Sequence, residues 1–250
     1  MIVDPRDAMM ERVLVDAGVS RGMRVLDLGC GHGNLSQMIA RQVGAEGRVV
    51  GVDRDPRVLE VARNAARERG YPQIEFVQCD LHALPDDLGP FDAMVGRRVL
   101  MYQPDAAATL RAVVRALRPG AVVALQEIDP TMVPVASVPM PLHARVYRWV
   151  WEMVEREGAS RQMGLDLPGA MARAGITVAD VRVEAVMQTA ARRLPTAAMV
   201  RAVLPRIVER GVATEAEVDV DTLDQRLDDE LRETGGAFVG DALFSAWGTV

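Results

Sequence analysis

The stretch Val25-Leu26-Asp27-Leu28-Gly29-Cys30-Gly31-His32-Gly33-Asn34 constrains this chain more than any other. A short apolar run from Arg24 to Leu28 reads as a buried strand. It breaks into glycines on alternate positions, and an amphipathic segment from Leu35 to Val43 follows. Strand, glycine turn and helix in that order bring bare backbone N–H groups and a helix N-terminus close to a ligand. Glycine suits the turn because a Cβ would block close approach and because tight turns often require positive φ.

Two nucleotide-type ligands use such turns. A dinucleotide fingerprint reads G-x-G-x-x-G, with the pyrophosphate on the helix N-terminus. Aligned on Gly29 and Gly31, it puts Asn34 where the third glycine belongs. The spacing here is G-x-G-x-G, preceded by the acidic Asp27. An acid beside the turn suits a ligand with a cationic end better than a pyrophosphate, because like charges repel at short range.

Further stretches follow in order: V-V-G-V-D-R-D, then I-E-F-V-Q-C-D-L, then F-D-A-M-V-G-R-R-V-L leading to L-R-P-G-A-V-V-A-L-Q-E. With the glycine turn, this ordered set resembles the motifs of class I S-adenosylmethionine (SAM) dependent methyltransferases over roughly residues 20 to 130. The resemblance implies an α/β fold: a Rossmann-like, seven-stranded, mostly parallel sheet with helices on both faces and the last strand antiparallel. It implies SAM as cofactor and S-adenosylhomocysteine as product.

The resemblance assigns cofactor contacts to Asp27, Gly29, Cys30, Gly31 and Asn34 of the turn, and to Asp53 and Arg54 after the second strand. Cys79, Asp80 and Leu81 after the third strand, and Arg97 after the fourth, complete the set. A carboxylate at Asp53 can accept hydrogen bonds from both ribose hydroxyls. The family carboxylate matching Asp80 accepts a bond from the adenine amino group, with Leu81 helping to hold the ring. Asp55 and Pro56 read as the N-cap and first residue of the next helix. The family residue at Arg97 packs beside the methionine part of the cofactor through its backbone. The N-P-P-Y motif of many DNA and protein amine methyltransferases is absent here. Arg98 reads equally as structural or as facing the ligand.

Composition limits the partners. The 250 residues carry Lys+Arg 29 against Asp+Glu 35, a formal charge of -6, which argues against a nucleic-acid substrate. A hydrophobic fraction of 49% with 26% charged residues allows a full core. Cys30 and Cys79 have no metal spacing and read as reduced and partly buried, and no bound metal is expected. The opening Met1 to Asp7 lacks a basic region followed by an apolar core, and no apolar run reaches spanning length. The expectation is a cytoplasmic monomer or homodimer with a small-molecule acceptor and neither nucleic-acid nor membrane partner.

Asp4 to Ala17 reads as an amphipathic leading helix, which covers a sheet face or, as often in the resembling family, lies over the cofactor. Asp105 to Leu117 is a helix, Arg118-Pro119-Gly120 a turn and Ala121 to Ile128 the fifth strand. Beyond residue 130 the motifs thin out. Leu142 to Glu157 and Leu167 to Ala174 are helical, and Val178 to Gln188 is a sixth strand. The run G-L-D-L-P-G-A-M-A-R-A-G-I looks like the helix before that strand in methyltransferases of the ubiquinone-biosynthesis type. Amphipathic helices at Pro195 to Arg210 and Asp221 to Arg232 precede a last strand, Ala237 to Trp247. The chain therefore reads as one domain over 1–250: a core at about 18–130 and 164–190 with the last strand at 237–249, and a helical cap at about 131–160 and 195–235.

Methyl transfer from a sulfonium needs alignment and exclusion of water, and a general base only for an acceptor proton of high pKa. His143 and Tyr102 are the catalytic candidates, with Glu127 and Asp129 as further polar groups at strand ends. His143 reads either as that base or as a solvated helix residue. Met132, Met140, Trp149, Met153, Met187, Met199 and Leu204 suit an apolar acceptor pocket, each also being ordinary core. The reading is O- or C-methylation of a small, fairly apolar molecule in biosynthetic or secondary metabolism. Alternatives are a cyclisation or rearrangement on the same fold, a nicotinamide oxidoreductase, and a non-catalytic SAM-binding module.

Overall fold

Parallel strands whose residues are buried on both faces need apolar runs rather than alternation, and those runs are where the strands form. The structure, a computed structural model, describes residues 4–250. Met1 to Val3, the start of the segment searched for a secretory signal, lie outside the described residues. β1 (Arg24–Leu28) pairs in parallel with β2 (Arg48–Asp53) on one side and β4 (Phe91–Arg97) on the other. β3 (Ile74–Gln78) pairs with β2, and β5 (Leu117–Asp129) with β4, again in parallel. β6 (Val135–Ala136), β7 (Thr177–Gln188) and β8 (Phe238–Thr249) follow, and the sheet order is β3-β2-β1-β4-β5-β8-β6, with β7 also bonded to β8. The pairing of β6 with β8 is antiparallel. The Rossmann-like α/β fold is as expected, with an eighth strand, β6, too short to leave an alternating pattern.

Chain contacts divide the described residues into a sheet unit, Met9–Glu127 with Met163–Arg182 and Phe244–Val250, and a helical unit, residues 4–8 with Ile128–Gln162 and Val183–Leu243. In the sheet unit, α1 (Pro5–Asp16) places Met10, Val13 and Leu14 in one core with Leu35, Met38, Ile39 and Val43 of α2 (Asn34–Val43). Val25, Val49, Ala93, Val95 and Ala124 supply the strand side of that core. The leading helix thus covers the sheet. Alternate strand residues Leu26, Leu28, Met94 and Leu125 are buried as well, so both faces are covered. α3 (Pro56–Glu68) starts as its sequence predicts: the Asp55 side chain accepts from the Arg57 amide, and Pro56 occupies the first turn. α4 (Ala106–Val113) and α6 (Met163–Arg173) pack against each other.

Three boundaries differ from the sequence pattern, the first being the helix expected over Asp105 to Leu117, which ends at Val113 and passes through a 3-10 turn, Val114–Ala116, into β5. The expected turn at Arg118-Pro119-Gly120 is instead the start of β5, because the Gly120 amide donates to the Val250 carbonyl at 2.9 Å and the Val250 amide donates to the Ala121 carbonyl. α6 begins at Met163, ahead of Pro168, which stands inside the helix without an amide to donate to the Gly164 carbonyl.

The helical unit contains α5 (Pro141–Arg156), α7 (Thr196–Glu209), α8 (Glu215–Val218) and α9 (Leu223–Thr234). Glu230 of α9 caps α5, accepting from the Leu142 amide at 2.8 Å and the His143 amide at 2.9 Å. Met140, Trp149 and Met153 are core residues here, whereas Met132 is 61% and Met187 56% exposed. The expected apolar group thus loses two members, Met187 because it alternates with the buried Val186 and Gln188 along β7.

Met10, with no exposed surface, and Val15, 57% exposed on the same helix, give a direct test of the α1 packing. Met10→Ala should cost about 2–5 kcal/mol in urea unfolding. Val15→Ala should change stability by no more than about 0.5 kcal/mol.

Candidate functional site

The strand order reverses direction at β1 and β4: the chain runs β1, β2, β3 outward to one side, then returns to lay β4 and β5 on the other. Loops leaving β1 and β4 therefore part in opposite directions and open a crevice beyond the strands' carboxyl ends. A cleft of about 270 Å³ lies there, lined by Gly29, Asp53, Arg54, Cys79, Asp80, Leu81, Arg98, Val99, Tyr102 and Gln103. Gly29, Asp53, Arg54, Cys79, Asp80, Leu81 and Tyr102 are sequence candidates brought together by the fold.

The glycine turn is held by the protein's own packing. Gly29 has φ +55, and a Cβ there would stand 2.8 Å from Val99 Cγ2. Gly33 has φ +76, and its Cβ would meet the Phe76 ring at 2.9 Å. At Gly31 nothing lies within 4 Å of the Cβ position, so only there is the turn's surface open. The Gly31 amide donates to Asp53 Oδ2 at 3.0 Å, and Asp53 Oδ1 accepts from the Asp55 amide at 3.0 Å. Asp53 thus ties the end of β2 to the turn after β1. Asp80 accepts from the His82 amide at 2.8 Å.

Asp27, Cys30, Gly31, Asn34 and Arg97 do not line the cleft. Asp27 is fully buried; its Oδ2 accepts from Ser36 Oγ at 2.5 Å, and its Oδ1 has no hydrogen-bond partner. Burial raises this carboxyl from its usual range to about 7, against the opposing effects of the Ser36 bond and the Arg97 charge. Cys30 is buried and donates its amide to the Val52 carbonyl at 2.9 Å; burial, then Asp27 and Asp53, keep its thiol protonated. Cys79 is partly exposed in the cleft, and its thiol is raised by burial, Asp80 and Asp53. Asn34 is exposed at the start of α2, and Arg97 is partly buried at the end of β4.

His143 belongs to the helical unit. It is 2% exposed, which corrects its reading as a solvated helix residue. Its Nδ1 lies 2.7 Å from Glu230 Oε2, and its ring centroid lies 4.9 Å from that of Phe238. Burial raises Glu230, but bonds from the His143 ring and the Leu142 and His143 amides bring it below the usual carboxylate range.

The sequence reading missed Val99 and Gln103 in the cleft and left Arg98 undecided. The loop leaves the carboxyl end of a parallel strand, where open sheets bind ligands, so its position was visible from the strand pattern. The backbone conformation was not: Arg98 is left-handed, with φ +57. The sequence reading also missed the partners of Glu127, a buried carboxylate that accepts from the amides of Val99 and Leu100.

The family model described as a methyltransferase domain matches residues 19–169, and the chain belongs to that family. The ubiquinone/menaquinone biosynthesis C-methyltransferase of Idiomarina loihiensis is 38% identical over 123 residues, 48% of this chain and 49% of that protein. The trans-aconitate 2-methyltransferase of Azoarcus sp. is 35% identical over 123 residues, 49% of this chain and 46% of that protein. The chain thus spans about half the length of these curated relatives. Among solved structures, the [4+2]-cyclase SpnF superposes with a TM-score of 0.56 at 20% identity, over 96% of this chain and 80% of that one, a likeness of fold.

The raised Asp27 carboxyl carries a pH dependence of stability. Between the ordinary aspartate range and about 7, the folded state keeps a proton that the unfolded state has released. Stability therefore falls as pH rises through that window. The urea midpoint should drop from about pH 5 to about pH 7.5, and Asp27→Asn should make that drop smaller.

Proposed function

We propose that this chain is a SAM-dependent methyltransferase acting on a small, fairly apolar acceptor by O- or C-methylation. The observation that carries the reading is one cleft at the sheet's reversal point joining the glycine turn to the carboxylates of Asp53 and Asp80. The residues fit the cofactor. Asp27 has a buried oxygen with no partner beside a turn whose Gly31 face is open. A carboxylate there suits a ligand with a cationic end.

In this proposal Asp53 accepts from the ribose hydroxyls, with Arg54 beside it. Asp80, Cys79 and Leu81 hold the adenine, and the methionine part falls to the turn through Gly29, which lines the cleft, with Asp27, Cys30, Gly31, Asn34 and Arg97 assigned to it from behind that lining. When bound, the cofactor supplies an activated methyl carbon on a sulfonium. The chain's own task is to align the acceptor and exclude water. Tyr102 lines the cleft. For His143, Glu230 engages Nδ1 and so favours the tautomer that leaves Nε2 to accept a proton.

The printed names of the relatives, ubiquinone/menaquinone and trans-aconitate methyltransferases, support a small-molecule acceptor. The net charge of -6 supports the absence of a nucleic-acid partner. No helix among the described residues is long and apolar enough to cross a membrane. The proposal includes action in the cytoplasm, without a membrane partner, as a monomer or homodimer. The rearrangement alternative would use the same residues and is separated by product mass, which methylation alone increases.

Calorimetry should detect binding of SAM and S-adenosylhomocysteine and none of NAD; failure of both sulfur ligands to bind folded protein would remove the proposal. Asp53→Ala should weaken SAM binding by about tenfold or more, since a hydrogen bond to a charged group contributes roughly 1.5–3 kcal/mol. Wild-type affinity in that variant would reject the ribose role. Once an acceptor is found, replacing the base should lower turnover by about a hundredfold at unchanged SAM affinity. His143→Ala and Tyr102→Phe test the two candidates, and whichever leaves turnover at wild type is not the base.

A further inference from the structure

We infer that Glu127 is a positioning residue: its buried carboxylate sets the 98–103 wall of the cleft and thereby the cleft's affinity for ligand. The inference rests on the cofactor reading of that cleft. Glu127 stands near the carboxyl end of β5 and is 1% exposed, and it does not line the cleft. Its Oε1 accepts from the Val99 amide at 2.9 Å and the Leu100 amide at 2.8 Å. The preceding amide, that of Arg98, donates to the Gln126 carbonyl at 2.8 Å. Neighbouring residues of one strand thus hold successive amides of the loop leaving another.

The loop's conformation accounts for the demand. Arg98 has φ +57, a region that non-glycine residues occupy at a cost, and Val99 follows with φ −115 and ψ −46. A left-handed residue followed by a right-handed one turns successive N–H groups toward one point and forms a nest for an anion. Glu127, whose carboxyl burial raises to about 7, supplies that anion from within the protein when ionised. Bonds from amides to an ionised carboxylate are stronger than neutral ones, so the carboxylate offsets the cost at Arg98.

The consequence reaches the cleft through the backbone. Arg98, Val99, Tyr102 and Gln103 all line it, and Val99 also packs where a Cβ on Gly29 would be. Releasing the amides of Val99 and Leu100 would let this wall move away from the glycine turn. A group that only stabilised the fold would affect all ligands and all elements alike; this one acts on a single segment.

The test uses the full chain as wild type, Glu127→Gln and Glu127→Ala. Amide hydrogen exchange is followed over residues 98–103 without ligand, and S-adenosylhomocysteine affinity is measured by calorimetry. Glu127→Ala should speed exchange at Val99 and Leu100, leave β1 and β2 protected, and weaken S-adenosylhomocysteine by about tenfold or more. Glu127→Gln keeps an acceptor oxygen but no charge, so it should restore affinity to within about threefold of wild type, with exchange between the other two proteins. Wild-type exchange at Val99 and Leu100 in Glu127→Ala overturns the inference, as does faster exchange with unchanged affinity. If Glu127→Ala does not fold, Glu127→Gln decides: faster local exchange supports the clamp, and wild-type exchange overturns it. Exchange needs no ligand, so a wild-type protein that fails to bind S-adenosylhomocysteine removes the cofactor reading while the clamp is still judged.

Discussion

The cleft depends on one close approach, that of Val99 to Gly29. The loops after β1 and β4 leave neighbouring strands at the point where the sheet reverses direction, and they meet across the space of a single missing Cβ. The glycine turn is therefore first a packing solution. Gly29 makes room for Val99 and Gly33 for Phe76, while Gly31 faces open space. A motif that reads in sequence as a cradle for a ligand is, at two of its positions, a cradle for the protein itself.

The carboxylates at the ends of the strands play different parts. Asp53 bonds backbone amides on both of its oxygens and still borders the cleft. Asp27 and Glu127 are buried, each with one oxygen engaged and the other without a partner, and burial raises each to about 7. Half-satisfied buried acids cost stability, and folds retain them where they order a site or bind a ligand. In the helical unit Glu230 uses both oxygens, to cap α5 and hold His143. The left-handed Arg98 and the unpaired oxygens of Asp27 and Glu127 all lie at or near the carboxyl ends of β1, β4 and β5.

Most elements are legible because their signals are local. β2, with Asp53 at its end, and α3, with Asp55 and Pro56, follow from apolar runs and capping chemistry within a few residues. β6 and α8 are not legible: two residues of strand and four of helix carry no period. The start of β5 was hidden because Leu117 pairs with Phe91 of β4 ahead of a register shift, and Gly120 and Ala121 bond Val250, all of them far away in sequence. His143 offered no sign of its partner, since Glu230 comes from another helix.

The sequence by itself determined the strands β1 to β4, the glycine turn, and the acids Asp53 and Asp80 that follow their strands, because each depends on residues adjacent along the chain. Only the tertiary structure decided the left-handed Arg98, the clamp of Glu127 on Val99 and Leu100, and the burial of His143 against Glu230. These join residues far apart in sequence through hydrogen bonds that have no period or composition. Local pattern can say that a strand ends in a carboxylate; which amide that carboxylate meets is decided by the packing of the sheet.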